Sequence, residues 1–501
     1  MTSAAPPTID NKDGYLWARW LFLRALGLIF FSAFYSLAFQ IHGLIGERGI
    51  LPADYYLHEV STSLGAAHGI WYAPTLLWIN ASDAALTLVV VAGIVVSLLV
   101  VFDIWPKWTI ALCTLLFLSC IGALQDFSSY QSDGMLLEAG FISFFFAPSG
   151  YRPGLGERDP PSRFSLFMLR WEWFRIYFES GLVKILSGDP TWRNFTAMDN
   201  YYQNGPLPSW MGWYVQQLPH WYHAGTVALT FFVELFLVWA LFLPRRFRVA
   251  CFLIVTALQM AIILTANYGF LNYVVLVLGV LLLDDQVLEK IGFRPVRATQ
   301  PEQTRRSSIV RRVENAILGL AFYSTIVAFV IGRSDSVLAL PHRILSPFRI
   351  ANAYGLFAVM TPARYEIEFQ GSNDGVRWTA YQFRYKPQDI YERPGFYAPY
   401  QPRFDWNLWF ASLDAWEQNP WVVLTEERLV DGSPSVLGLF RNDPFNGRPP
   451  ATVRTVLWQY WFTDPAAKRK TGAWWRRQEI GPFSPPVVRG RDGSPGVSPA
   501  N

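Results

Sequence analysis

The run with the most chemical potential is Arg170-Trp171-Glu172-Trp173-Phe174-Arg175-Ile176-Tyr177-Phe178-Glu179, followed by Gly181-Leu182-Val183-Lys184. Its charges lie inside the apolar stretch Phe164–Leu186, and charge in a membrane helix is costly enough to mark a functional site by default. At roughly 100° per residue, Glu172, Arg175 and Glu179 share a helix sector roughly 60° wide. They can form one ion-paired strip inside a bundle, while Arg170 and Lys184, near the two ends, can reach the interfaces. Glu234 sits in the middle of another apolar stretch with no partner in its own helix, so Arg175 and Arg24 are its candidate partners. Asp126, Asp133 and Glu138 fall near the same mouth. A cavity around Glu138, Glu172, Arg175, Glu179, Lys184 and Glu234 would suit a lipidic or quinone-like substrate. The same charges can instead only fix helix register, and the sequence leaves both readings open.

Other catalytic patterns are sparse. There is no Gly-rich phosphate loop, nucleophile elbow or His-Glu-x-x-His. His220 and His223 are three apart, but two histidines alone favour capping over metal binding. Cys113, Cys120 and Cys251 lie in apolar stretches and read as buried hydrophobes. No metal and no cofactor is expected. Asn80-Ala81-Ser82 and Asn194-Phe195-Thr196 are glycosylation-type triplets that would matter only in a secretory-pathway host.

The elements that position these charges follow from composition. Of 501 residues, 52% are hydrophobic, 17% aromatic and 16% charged, against roughly 25% charged in a soluble domain. Disordered, collagen-like and nucleic-acid-coating classes are excluded, and a polytopic membrane protein is indicated. Apolar stretches at Trp17–Ile41, Ala84–Ile104, Trp108–Leu124, Met135–Ala147, Phe164–Leu186, His223–Leu243, Val249–Leu264, Tyr268–Leu283 and Ala316–Ile331 give nine expected spans. Met135–Ala147 is the shortest and can be re-entrant. With the N-terminus inside, fifteen Lys and Arg residues fall in inner segments, and the outer loops before the last helix hold only Arg48 and Arg193, as the positive-inside rule requires. The expected domains are an inner tail (1–16), a helical bundle (17–332), an extracytoplasmic domain (333–485) and a disordered tail (486–501). Seven of the 42 basic residues are Lys; this Arg-rich usage suggests a GC-rich bacterial genome, and in a bacterial inner membrane the topology would put the last domain in the periplasm.

Beyond residue 333, Tyr365–Phe369 and Arg377–Tyr385 alternate around Gly371-Ser372-Asn373-Asp374-Gly375, predicting a hairpin in a β-rich, sandwich-like domain. The Ser-Asn-Asp-Gly-Val-Arg-Trp run resembles a carbohydrate-binding turn, with a plain structural turn favoured. Asp405, Trp406, Asn407, Trp409 and Phe410 belong to an unusually aromatic run, and six more Trp residues follow it. Surplus aromatic residues on a small domain's surface would mark a partner-binding patch. Seating of the domain on the bundle or the outer leaflet accounts for them equally well.

Three runs resemble the lipase maturation factors: Gly181-Leu182-Val183-Lys184 with Gly188-Asp189-Pro190-Thr191-Trp192-Arg193-Asn194, Asn267-Tyr268-Gly269-Phe270-Leu271-Asn272-Tyr273, and Ala351-Asn352-Ala353-Tyr354-Gly355-Leu356-Phe357. So do Tyr400–Ala411 and Asn442-Asp443-Pro444-Phe445. The resemblance implies a multi-pass protein whose helical part is distantly similar to vitamin K-dependent carboxylases. It also implies a luminal C-terminal part that helps secreted, lipase-like clients fold and assemble. Within it, Gly188, Asp189, Trp192 and Arg193 form a family-motif loop. It transfers no catalytic residue. The leading expectation is therefore a membrane-anchored maturation factor with a secreted lipase-like client and no nucleic-acid partner. The alternative is an integral-membrane enzyme on a lipidic or quinone-like substrate. A transporter is weaker, because no inverted repeat or pair of broken helices is evident.

Overall fold

The computed structural model describes residues 14–128, 130–296, 308–332, 335–490 and 495–497. Most of the inner tail and three counted arginines (Arg297, Arg305 and Arg306) lie outside them. Each expected span has a helix: α1 (Leu16–Ala38), α2 (Asp83–Val101), α3 (Pro106–Ala123), α4 (Gln131–Phe146), α5 (Arg163–Leu186), α6 (His220–Phe242), α7 (Arg245–Thr265), α8 (Leu271–Leu282) and α9 (Ser308–Val330). Among the described residues, six helices are long and apolar enough to cross a membrane: α1, α2, α3, α6, α7 and α9. The other three fall short for physical reasons. α4 has only 16 residues, α8 is shorter still, and α5 carries six charges.

Local signals start these helices where they start. Ser82 caps α2 through the Ala85 N–H (3.4 Å), Ser162 caps α5 through the Ser165 N–H (3.5 Å), and Pro106 occupies the first turn of α3. Helices α1 to α5 pack in sequence order, and α8 inserts against α1, α4 and α5. Phe22, Phe30 and Phe34 of α1 are fully buried, and α2 crosses Phe34 at Gly93, where a Cβ would collide with the ring. α6 and α7 instead turn Phe236, Trp239, Leu253 and Met260 outward. Exposed apolar surface on helices of this length belongs against lipid.

α1 begins where Asp285 accepts the Leu16 and Trp17 N–H groups (2.9 and 2.8 Å). It ends near Gln40, whose amide donates to the Gln401 carbonyl (2.9 Å). The start of α1 and the C-terminal domain therefore occupy opposite ends of the helical body.

The C-terminal domain differs from a sandwich. Its strands β1 (Arg364–Ser372), β2 (Thr379–Ala380), β3 (Thr452–Phe462), β4 (Trp475–Pro482), β5 (Val487–Arg489) and β6 (Pro495–Val497) form one sheet, in the order β2-β1-β3-β5-β6 with β4 also on β3. The second layer is helical: α10 (Arg403–Ala411) packs on β1, and α11 (Trp421–Val430) packs on β3 and β5. The 365–385 hairpin forms, but its return strand is two residues long. Beyond Ala380, Tyr381 and Phe383 turn into the core against Phe440, and the Phe383 N–H bonds the Gln388 side chain (2.9 Å) instead of a strand. The tail from 486 is not wholly unstructured, because β5 pairs with β3 and β6 pairs with β5.

Candidate functional site

The polar cluster of α5 is closed by a strap, residues 349–361, descending from the C-terminal domain. Arg175 forms an ion pair with Glu138 of α4 and donates to the Asn352 carbonyl (2.5 Å). Glu138 also accepts from the Asn352 N–H (3.0 Å), the Asn352 amide (3.0 Å) and the Tyr354 hydroxyl (2.9 Å). Glu179 accepts the Tyr354 N–H (2.7 Å). Glu172 is buried beside Glu138 and Arg175. The three α5 residues share a buried sector, but Arg175 pairs with Glu138 of α4, Glu179 takes a strap N–H, and both Glu172 oxygens are without a hydrogen-bond partner among the described residues.

Lys184 and Glu234 separate from that strip. Lys184 is 1% exposed and does not reach an interface: its ammonium lies 2.9 Å from both Glu234 oxygens and 3.0 Å from the Leu356 carbonyl. Glu234 thus finds Lys184 rather than Arg175 or Arg24, and Arg24 pairs with Asp103. A five-residue π-helical segment, Phe232–Phe236, carries Glu234. It lies against Gly181, where a Cβ would come within 2.8 Å of the Glu234 Cβ.

The family-motif loop clamps the strap. Asp189 caps a short helix through the Thr191 N–H (2.8 Å) and accepts the Met360 N–H with its other oxygen (2.6 Å). Its pKa is lowered: partial burial opposes the charge, but those backbone donors outweigh it. Trp192 is buried and donates to the Phe357 carbonyl (3.0 Å), with the Lys184 ammonium 5.3 Å from its ring centre. Gly188 adopts φ +76° to start the turn, whereas Arg193 is exposed and takes no part in the clamp. His220 and His223 diverge: His220 faces Asp199 at 3.0 Å and is exposed, while His223 is buried against Tyr202 and Tyr222.

The aromatic run forms no partner surface. Asp405, Trp406, Asn407 and Trp409 are 2%, 5%, 6% and 8% exposed, and only Phe410, at 45%, is open. In a nine-residue helix wedged between sheet and bundle, the side chains on both faces are covered. Trp406 stacks near Tyr130, Tyr130 donates to Asn407 (2.6 Å), and Trp409 donates to the Asn204 carbonyl (2.9 Å). Asp405 accepts the Tyr385 and Lys386 N–H groups (3.1 Å each), yet burial raises its pKa to about 6. The remaining Trp residues of the domain are largely covered by cations: Arg454 over Trp378 (4.0 Å), Arg477 over Trp458 (4.1 Å) and Arg476 over Trp461 (4.7 Å).

Sequence reasoning missed the anchor of this arrangement. Arg403 of α10 forms a two-pronged pair with Asp133 of α4 (2.7 and 2.8 Å) and donates to the Phe127 carbonyl (2.8 Å). The Asn267–Tyr273 motif makes another joint. Asn267 donates to the Leu207 and Gly395 carbonyls (3.1 and 3.0 Å) and accepts the Tyr397 N–H (2.7 Å). Gly269 adopts φ +54°, and a Cβ there would run into Gln401 and Trp406. Gly269→Ala should therefore cost roughly 1–3 kcal/mol; thermal unfolding in detergent checks this, and an unchanged midpoint would refute it.

Fold and site together define a multi-pass membrane protein with a sheet domain strapped and ion-paired to one end of its helical bundle. The chain belongs to the lipase maturation factor family. The profile of the lipase maturation factor transmembrane domain matches residues 17–290, and that of the C-terminal domain matches residues 350–485. Lipase maturation factor 1 of Mus musculus is 32% identical, covering 95% of this chain and 88% of the relative. The Homo sapiens lipase maturation factor 1 is 31% identical with the same coverage, and the Homo sapiens lipase maturation factor 2 is 30% identical over 94% of this chain and 83% of the relative. No solved structure matches.

Proposed function

We propose that the protein is a membrane-anchored maturation factor assisting secreted, lipase-like proteins through its C-terminal domain. The observation carrying this reading is that the family likeness runs through both parts of the chain, bundle and sheet domain. In this reading nine helices cross the bilayer, the N-terminus is inside, and the sheet domain faces the periplasm or the endoplasmic reticulum lumen. The distribution of Lys and Arg and the placement of the domain opposite the start of α1 support that orientation.

The client surface in this reading is the broad cleft beside β4, of about 1130 Å³, bordered by Gln388, Tyr391, Arg441, Asp464 and Arg476. β4 pairs only with β3 among the described residues, so it also offers an edge for an extended client segment. The buried polar strip serves as scaffold, since its ion pair and strap contacts face inward. That burial favours this reading over the membrane-enzyme alternative.

The double variant Tyr391→Ala/Arg476→Glu changes side chains at the cleft, both exposed. It should reduce the active secreted fraction of a co-expressed dimeric lipase by roughly 1 to 2 kcal/mol equivalent, about fivefold to thirtyfold, as for loss of interface anchors. Level and unfolding midpoint of the variant should match the parent. Full lipase secretion by the variant would overturn the assignment of the cleft.

A further inference from the structure

A second cavity, unrelated to the cleft, lies between α5, α6, α7 and α8. It holds about 450 Å³, and a neighbouring pocket of about 340 Å³ lies across the mutually packed rings of Tyr201, Tyr268 and Phe357, which wall both. Each falls in the size range of small-molecule sites. The walls are mostly apolar; around the first pocket the polar groups pair with one another, whereas Asn204 Oδ1 and Trp406 Nε1 beside the second have no hydrogen-bond partner among the described residues. Lys184 and Glu234 cancel in their ion pair, Gln259 donates to the Tyr177 hydroxyl (2.8 Å), and Asn272 donates to Gln259 (2.6 Å). Such an interior attracts neither an anion nor a cation.

The mouth identifies the occupant. α7 packs against the 237–242 half of α6 far more than against its earlier turns, so the two helices part towards the end bearing the sheet domain. Leu229 of α6 and Ile254 of α7 line the cavity and are also 42% and 41% exposed. Both helices are long and apolar enough to span a membrane, so the opening between them faces the hydrocarbon of the bilayer. The sealing strap, through Leu356, Phe357 and Met360, forms the wall beneath the sheet domain.

We infer that this cavity takes one lipid acyl chain, entering sideways from the bilayer between α6 and α7. The chain fills this pocket along the strap as far as the rings of Tyr201, Tyr268 and Phe357. A phospholipid and a free fatty acid present the same chain. They differ in the group left at the mouth, so the test separates them.

The full chain, purified in detergent and stripped of lipid, is incubated with vesicles of dioleoylphosphatidylcholine carrying radiolabelled lipid, or separately with radiolabelled oleate, then passed through gel filtration. One of the two labels should remain with the protein at close to one equivalent. Ala257→Trp on α7 and, independently, Thr230→Trp on α6 place an indole in the mouth, which both residues line. Each should lower retention by roughly fivefold or more, as expected when a preformed pocket is blocked. Leu253→Trp, on the exposed face of α7 and outside the cavity lining, should retain label like the parent. Retention of phospholipid identifies a bilayer lipid, and retention of oleate a free fatty acid. No retained label, or equal retention in both mouth variants and the Leu253 control, overturns the inference. Two independent mouth variants, each checked for a monodisperse peak, keep misfolding from mimicking loss. The readout contains no lipase, so it succeeds or fails separately from the maturation role.

Discussion

Arg403→Met is expected to lower the unfolding free energy by about 3–5 kcal/mol, the usual cost of leaving one member of a buried ion pair uncompensated. Asp133, fully buried, would lose both guanidinium contacts, and the Phe127 carbonyl would lose its donor. Because the pair joins α10 to the start of α4, the first consequence should be separation of the sheet domain from the bundle. Limited proteolysis would then cut near the strap at protease levels the parent survives. Removing both charges tests the cause. Asp133→Leu/Arg403→Leu should recover most of the loss, because apolar pairs often replace buried ion pairs at little cost. A double variant no better than Arg403→Met would show that shape, rather than charge, governs the joint.

The second large effect is a pH dependence centred on Glu426. This α11 residue is fully buried, accepts one hydrogen bond from the Ser484 hydroxyl (3.1 Å), and has its pKa raised by burial to about 8. An unfolded glutamate ionises near about 4.3. Between those values the unfolded chain gives up a proton that the folded domain keeps, so this residue's contribution is fully present below about 4.3 and is lost as pH rises towards about 8. Glu426→Gln, neutral throughout, should flatten the profile and exceed the parent at pH 8 by on the order of 3 kcal/mol. Unfolding midpoints of the sheet domain from pH 5 to 9, followed by near-ultraviolet circular dichroism, would check it. Parallel profiles for parent and variant would refute it.

How far these features could be read from sequence depends on the range of the interaction. A helix of twenty apolar residues announces itself locally, and all nine stretches are helical, although only six of the helices are long and apolar enough to cross a membrane. The common sector of Glu172, Arg175 and Glu179 is likewise a property of one helix. The pairs Lys184–Glu234 and Arg403–Asp133 join residues 50 and 270 positions apart, and no spacing rule connects them. The run Phe404–Phe410 leaves open whether its aromatic residues face a partner or seat the domain, because burial depends on what packs against it. Packing against both sheet and bundle buries the very residues that seemed available to a partner. The strap was legible only as the Ala351–Phe357 motif, because its work is done by backbone N–H and carbonyl groups, which composition does not reveal.

The strap also imposes an order on synthesis. Glu179 bonds to an N–H group 175 residues further along the chain, so the ribosome delivers α5 to the membrane long before Tyr354 exists. Throughout that interval the nascent helix carries carboxylates without their final donors. Those carboxylates stay open until the sheet domain is made and its strap closes over them. A chain truncated before residue 349 therefore lacks more than its last domain. Its fifth helix is left permanently at an intermediate stage of its own biogenesis.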